Sequence, residues 1–430
     1  MESILTDENI QSAVEQVRKN KGAPGIDGMT TDQLMQHMKE HWHELRRQLV
    51  EGTYRPQPVR RVGIPKPSGG VRELGIPTVV DRAIQYAILQ ALTPVFDPGF
   101  SEHSYGFRPG RRAWDAVIKE RGYVEQGHEW VVDMDIASFF DRINHDMLMA
   151  RVARKVKDKR LLRLIRRYLQ AGVMVNGVVR EHEEGTPQGG PLSPLLANVF
   201  LDDLDRELER RGHRFVRYAD DCNIYVKSKR AGDRVLSSVR RFVEERMRLK
   251  LNEGKTAVDK ATKRKFLGFS LYGSERYGYR IRLAAEAKKR FRQEIYSFTD
   301  RNRSVATGER IQRINEYAAG WMAYFQLVET PSVIGELDAW MRRRLRACLW
   351  NQWKSVGTRL RNLRSLGVEG RQAFHLANAR KGPWRMASTL GIVLTNEYWS
   401  RQGLLSLLES YNRLRQSGRT AVYRTVRTVV

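Results

Sequence analysis

The stretch FVRYADDCNIYV, Phe215 to Val226, reads as two short apolar runs joined at a tight turn, with two aspartates where the turn should be. Adjacent carboxylates at the tip of a buried hairpin are costly unless something cationic offsets them. On an open tip an Asp merely favours the turn geometry, and for an isolated Asp-Asp that explanation suffices. Here the flanks are apolar and aromatic. A second cluster, DMDIASFFD at Asp133 to Asp141, ends another apparent core strand that starts at Glu129. Two strands ending in aspartates can form one hard-oxygen site for Mg²⁺. Two such ions, about 3.5–4 Å apart, activate an attacking hydroxyl and stabilise a leaving phosphate oxygen, which is the chemistry of nucleotide addition.

Pleating alone does not choose between Asp133 and Asp135, because side chains two apart point to the same face. Asp135 is nearer the strand end, where a ligand can reach it, and Asp133 reads as a structural or supporting carboxylate. Asp220 and Asp221 should diverge, with Asp220 as the bridging ligand and Asp221 as the weaker one.

Composition sets the outer bounds. The chain has 430 residues, 41% of them hydrophobic, enough for two or three domains and a sizeable core. No apolar run of about 18 residues suggests a membrane span, and MESILTDENI lacks the apolar core of a secretory signal. The expected location is therefore cytoplasmic. Cys222 and Cys348, a single pair, cannot build a zinc finger and read as small buried apolar residues. Lys and Arg number 76 against 49 Asp and Glu, a net charge of +27. So large an excess suggests a polyanionic partner. Residues 281–430 hold 27 basic and 11 acidic side chains, a net +16, and six of the nine tryptophans. Basic residues interleaved with aromatics suit a nucleic-acid groove. Most of the tryptophans read as core, and the arginines as the groove.

Thr30 is placed to cap a helix whose apolar face is Leu34, Met35, Met38, Trp42, Leu45 and Leu49. VRRVGIPKPSGGVRELGIP, Val59 to Pro77, reads as a hairpin around PSGG, with Arg60, Arg61, Lys66 and Arg72 on or near the loop. Such a hairpin is either a solvated edge or a finger that grips phosphate. Helices are expected at Val79–Val95 and Arg112–Glu125, and a second hairpin at Val173–Arg180 with a type I′ turn at Asn176-Gly177. TPQGGPLSP, Thr186 to Pro194, is a loop running into a helix up to about Arg210. From about Leu283 the pattern changes to Arg-rich helices punctuated by Pro331, Gly357, Gly367 and Gly382-Pro383. The last residues, from Ser417, are expected to be a loose tail.

Several motifs together resemble one family. YADD at Tyr218 to Asp221 resembles the YxDD signature of reverse transcriptases, and DIASFFD resembles their first palm motif. GAPGIDG (Gly22 to Gly28) resembles the N-terminal extension of group II intron and related non-LTR enzymes. IPKPSGGVRELGIPTVVDR resembles their fingers block. SYGFRPGR, TPQGGPLSP, LNEGKT and FLGF resemble the subsequent blocks in order, and GWMAYFQLVETPS with ARKGPW resembles a maturase or thumb domain. The resemblance covers the chain to about Arg415, and the compact length is similar to the class C intron proteins without an endonuclease domain.

The resemblance implies an α+β right-hand polymerase followed by all-helical thumb and DNA-binding regions. Its divisions would be 1–90 (N-terminal extension and fingers), 91–282 (palm with remaining fingers elements), 283–378 (thumb or maturase) and 379–430 (DNA-binding region and tail). It implies RNA-templated DNA synthesis with two Mg²⁺ ions, Mn²⁺ as a substitute, and binding of intron RNA for splicing and retrohoming. Asp135, Asp220 and Asp221 would hold the metals, with the Ile136 carbonyl as a further ligand. Lys66 and Arg72 would hold the triphosphate. Phe140 would be the sugar gate that selects deoxynucleotides, while Phe139 packs. Gln188 would contact the nucleotide or its template partner. Lys255 is either a general acid toward pyrophosphate or a surface lysine. Arg108 either meets template phosphate or forms a buried ion pair. Nucleic acid would also meet Arg60, Arg61, Arg342, Arg343, Arg344, Lys354 and Arg359. The implied partners are intron RNA, an RNA template with a DNA or RNA primer, target DNA and deoxynucleoside triphosphates, with no membrane. A bacterial-type protein of this kind would associate with the nucleoid when on DNA. The rivals are a splicing-only RNA-binding maturase and a domesticated reverse transcriptase acting in repair or defence.

Overall fold

β-Branched and aromatic residues crowd the stretches that become strands, and in β7 (Asp221–Val226) every residue after Asp221 is buried. Burial on both sides replaces simple alternation because helices cover both faces. The computed structural model describes residues 1–65, 70–175, 178–180, 189–300, 303 and 305–416. By compactness the chain divides into two units, Met1–Arg264 and Lys265 onward.

In the first unit, β1 (Val59–Pro65) pairs antiparallel with β2 (Val71–Ile76). Its other edge pairs parallel with β4 (Val173–Val175), which pairs with β5 (Val178–Arg180). Both expected hairpins therefore exist, while PSGG and Asn176-Gly177 lie largely or wholly outside the described residues. The second sheet runs in the order β6-β7-β3-β8, with β3 at Trp130–Met134, β6 at Arg214–Tyr218 and β8 at Ala257–Lys260. All its pairings are antiparallel.

Two helices clamp this sheet. Helix Lys229–Arg241 lies on the face bearing Val132, Val226 and Val258. It approaches closest at Gly232, where a Cβ would sit 2.5 Å from Val258. Helix Ala113–Glu125 packs on the other face, with the Tyr123 and Tyr225 rings 5.6 Å apart. Helix Val79–Phe96, capped by Thr78, is among the most deeply buried of the unit. The expected capping by Thr30 does not occur. The helix begins at Leu34 after Gln33, and the Thr30 hydroxyl donates to the Gln33 side chain instead. Its apolar face is as expected: Leu34, Met38 and Leu49 are buried, and Met35, Trp42 and Leu45 pack against the core.

The second unit opens with the three-stranded order β11-β10-β9 (β9 Lys265–Phe266, β10 Phe269–Ser274, β11 Gly278–Leu283). Helices follow. Pro331 and Pro383 start two of them, where a missing N–H costs nothing. Gly367 takes φ +83° just past helix Val356–Ser365. Gly357 does not punctuate; it lies in that helix's first turn. Trp321, Trp350, Trp353 and Trp399 are buried, Trp340 half-buried and Trp384 exposed, so most of the tryptophans are core. Cys222 and Cys348 are free and buried.

Candidate active site

The aspartate turn is a two-residue connection. Tyr218 pairs with Asp221 across the β6–β7 ladder, leaving Ala219 and Asp220 as the tip. Ala219 has φ +57°, a conformation a side chain adopts only under constraint. β3 runs beside β7 with Val131 opposite Tyr225, Asp133 opposite Asn223 and Met134 opposite Cys222. One step further, that register carries Asp135 toward Asp221 on the same face. The two acidic stretches therefore meet at one end of one sheet.

The electrostatics reflect the meeting. Asp221 is pushed up to about 6, first by desolvation and then by the charges of Asp220, Asp133 and Asp135, against the opposing pull of Lys255. Its outer side is open to solvent, which tempers the desolvation and leaves the crowding of like charges as the firmer cause. Asp133 is neutralised separately: Arg264 Nε donates to its Oδ2 at 2.8 Å, and the same guanidinium reaches the Lys255 carbonyl at 3.0 Å. That ion pair fits the supporting role read from its place in the strand.

Asp135 is held by LNEGKT, the loop from Leu251 to Thr256. Asn252 N–H donates to the Asp135 carbonyl at 2.8 Å, and Asp135 N–H to Thr256 Oγ1 at 3.3 Å. Lys255 Nζ stands 3.3 Å from Asp135 Oδ2 while remaining two-thirds exposed. Ile136 is buried and bridged to Leu251. Ser138 at φ +47° turns the chain into a short 3₁₀ turn, Phe139–Asp141. There Phe139 is buried against Phe200, and Phe140 lies half-buried with its ring centroid 5.2 Å from that of Phe139.

Among the described residues, no three His, Cys, Asp or Glu side chains are gathered closely enough to grip a metal ion. The donor set still fits one. It is all carboxylate oxygen, suited to a hard cation. Burial and then the like charges of Asp220, Asp133 and Asp135 hold Asp221 above the usual carboxylate range, and a tethered cation, Lys255, already leans on Asp135.

Other expected site residues fall differently. Lys66 and Gln188 lie outside the described residues, and of Arg72 only the backbone is described. Arg61 forms an ion pair with Glu73, and Arg60 is half-buried. Arg108 is a correction: it is buried and turned inward. It bonds Asp97 Oδ1 at 2.7 Å, the Asp97 carbonyl at 2.8 Å, and the Ser101 and Ser104 carbonyls at 2.6 and 3.0 Å. A guanidinium so committed follows the ion-pair alternative.

The run Arg342, Arg343, Arg344 is a second correction, since a helix spreads three consecutive residues around its circumference. Arg344 is buried, bonding the Thr299 hydroxyl and carbonyl beneath the Tyr296 ring. Arg342 pairs with buried Asp338 at 2.9 Å. Arg343 lies 4.1 Å from the Trp384 ring centroid. Arg359 stacks on Trp350 and bonds the Trp353 carbonyl. Of the group in this unit, Lys354 is the exposed member.

Sequence reasoning passed over Arg217 and Arg264. The signal for Arg217 was visible: a lone arginine within an otherwise apolar run, a residue rarely buried without a partner.

Residues 64–271 match the family described as reverse transcriptase (RNA-dependent DNA polymerase), and residues 288–367 match the group II intron, maturase-specific domain. The chain is 33% identical over 279 residues to Protein YkfC of Escherichia coli (strain K12), covering 56% of this chain and 73% of that protein. It is 30% identical over 347 residues to the group II intron-encoded protein LtrA of Lactococcus lactis subsp. cremoris, covering 65% of this chain and 57% of LtrA. Among solved structures it is similar to a chain of a partial Cas6-RT-Cas1–Cas2 complex, at 27% identity over 56% of this chain and 42% of that one. The TM-score there is 0.37, too low to carry weight. Sharing a third of its aligned residues with YkfC across most of that protein, and carrying both domains in order, the chain belongs to the group II intron-type reverse transcriptases, a family of RNA-directed DNA polymerases.

Proposed function

We propose that this chain copies its own intron RNA into DNA, and that it binds that RNA to assist splicing and retrohoming. The observation that carries the reading is the meeting of Asp135 with the Asp220-Asp221 turn at one sheet end, where burial and then the neighbouring carboxylates push Asp221 up to about 6. Carboxylates drawn together at that cost suit a site whose counter-charge arrives from outside. Asp135, Asp220 and Asp221, with the Ile136 carbonyl, would hold two Mg²⁺ ions, or Mn²⁺ in their place. When bound, such ions activate a primer 3′-hydroxyl and stabilise the departing phosphate oxygen.

The remaining roles belong to the chain's own side chains. Lys255, tethered beside Asp135 and exposed, would serve as the general acid toward a leaving pyrophosphate. Phe140, packed against Phe139, presents a rigid ring that excludes a sugar 2′-hydroxyl. Lys66 and Arg72 grip the triphosphate, and Gln188 touches the nucleotide or its template partner. In this reading residues 1–90 and 91–282 serve as fingers and palm, 283–378 as thumb and intron-RNA surface, and 379–430 as the DNA-contacting end. The maturase-specific match at 288–367 supports the RNA-binding half of the proposal. No helix among the described residues is long and apolar enough to cross a membrane.

Extension of a DNA primer on an RNA template, with Mg²⁺ and with a chelator, tests the reading. Asp220→Ala is expected to abolish extension and leave RNA affinity within about twofold. Extension at a near-normal rate in that variant would refute the role of the carboxylates.

A further inference from the structure

We propose that Arg217 is a positioning residue: it fixes the Ala219-Asp220 turn, and so the direction in which the aspartates point, rather than serving chiefly to stabilise the fold. Arg217 is completely buried one residue before the YADD stretch. A guanidinium has five N–H donors, and here each has an acceptor. Nε and Nη2 fork onto the two Asp205 oxygens at 2.7 and 2.6 Å. Nη2 also reaches Ser104 Oγ at 2.7 Å. Nη1 donates to Asn198 Oδ1 at 2.9 Å and to the Ala219 carbonyl at 2.8 Å.

The last bond is the informative one. Ala219 has φ +57°, which costs a residue with a Cβ about 1 kcal/mol or more. Its carbonyl is therefore held against a backbone preference, at the tip whose next two residues are Asp220 and Asp221. The loop behind it is built for the same contact. A Cβ on Gly106 would lie 2.3 Å from Ala219 N, and Asn198 Nδ2 donates to the Gly106 carbonyl at 2.9 Å. Stability alone is a poor reason for this arrangement, because a buried ion pair contributes little over an apolar pair of similar volume.

The inference rests on the polymerase reading, and the test separates the two. Arg217→Met with Asp205→Leu removes both charges together and leaves neither stranded. The double variant should melt within a few degrees of wild type, bind template–primer equally well and keep its nucleotide KM within about threefold. Its kcat should fall about 100-fold, the scale of a misplacement near 1 Å. Amide exchange should accelerate at Tyr218 to Asp221 and not along the rest of β6 and β7. A kcat within threefold of wild type, or exchange that rises throughout both strands, would overturn the proposal. If the double variant does not fold, Arg217→Lys decides: it keeps the charge against Asp205 with only three donors. It should lose at least tenfold in kcat, and wild-type kcat there would overturn the role equally. A wild-type chain that extends no primer would defeat the polymerase reading instead.

Discussion

Asp221 shows what a functional carboxylate costs the fold. Its folded pKa of about 6 lies above the value near 4 expected for an unfolded chain. Between those limits the folded chain keeps a proton that the unfolded chain has released, so stability falls as pH rises through the window and stays lower above it. Asp221→Asn is therefore expected to raise the melting temperature at pH 7.5 by about one to two degrees. That corresponds to on the order of 1 kcal/mol once solvent screening of an open carboxylate is allowed for. The gap should close below about pH 4, and calorimetry across that range checks both the sign and the window. Phe140→Ala should raise ribonucleotide incorporation, measured as the ratio of kcat/KM for the two sugars; an unchanged ratio removes it as the gate. At this scale the acidic residues were legible, because carboxylates interrupting apolar strands are rare without a purpose. Arg217, a lone cation within an apolar run, carries the same signal in the sequence.

Among elements, the sequence was most informative where periodicity was strong. Helix Val79–Phe96 and strands β3, β6 and β7 follow directly from apolar patterning, whereas β8, AVDK, carries no such signal and was not expected. Less legible was the direction of an arginine. Arg108 and Arg344 look in sequence like any other basic residue, yet both complete their hydrogen bonds on backbone carbonyls. For Arg344 that choice depends on Thr299, brought in from 45 residues away, and for Arg108 on the folding of the irregular loop just before it; neither is recorded in apolar periodicity. Arg108→Ala should therefore lower stability by about 3 kcal/mol, as removal of one buried partner does, and leave template–primer affinity within about twofold. Denaturant titration and a binding isotherm on the same variant separate the two effects.

For the molecule as a whole, the +27 charge remains the plainest pointer to a polyanion. The structure sorts the basic side chains by exposure. Arg361, Arg364, Arg371 and Lys381 are exposed, whereas Arg342 and Arg344 face inward. Substituting Arg361, Arg364 and Arg371 with Gln should flatten the salt dependence of nucleic-acid binding, by about 0.7–0.9 in log-log slope for each phosphate no longer neutralised. Alanine at Arg342, Arg343 and Arg344 together should chiefly lower the melting temperature. A slope untouched by the first set would return those side chains to an ordinary solvated face.

The two-residue connection between Tyr218 and Asp221 has an evolutionary corollary. Sidedness along a strand alternates at every step, so one inserted or deleted codon near Ala219 would exchange the two faces of β7. Cys222 and Ile224 would change places with Asn223 and Tyr225, each facing the wrong helix. Descendants of this gene can exchange one amino acid for another at the hairpin, but frame-preserving changes of length there should be purged, and a library of single-codon indels would display the gap.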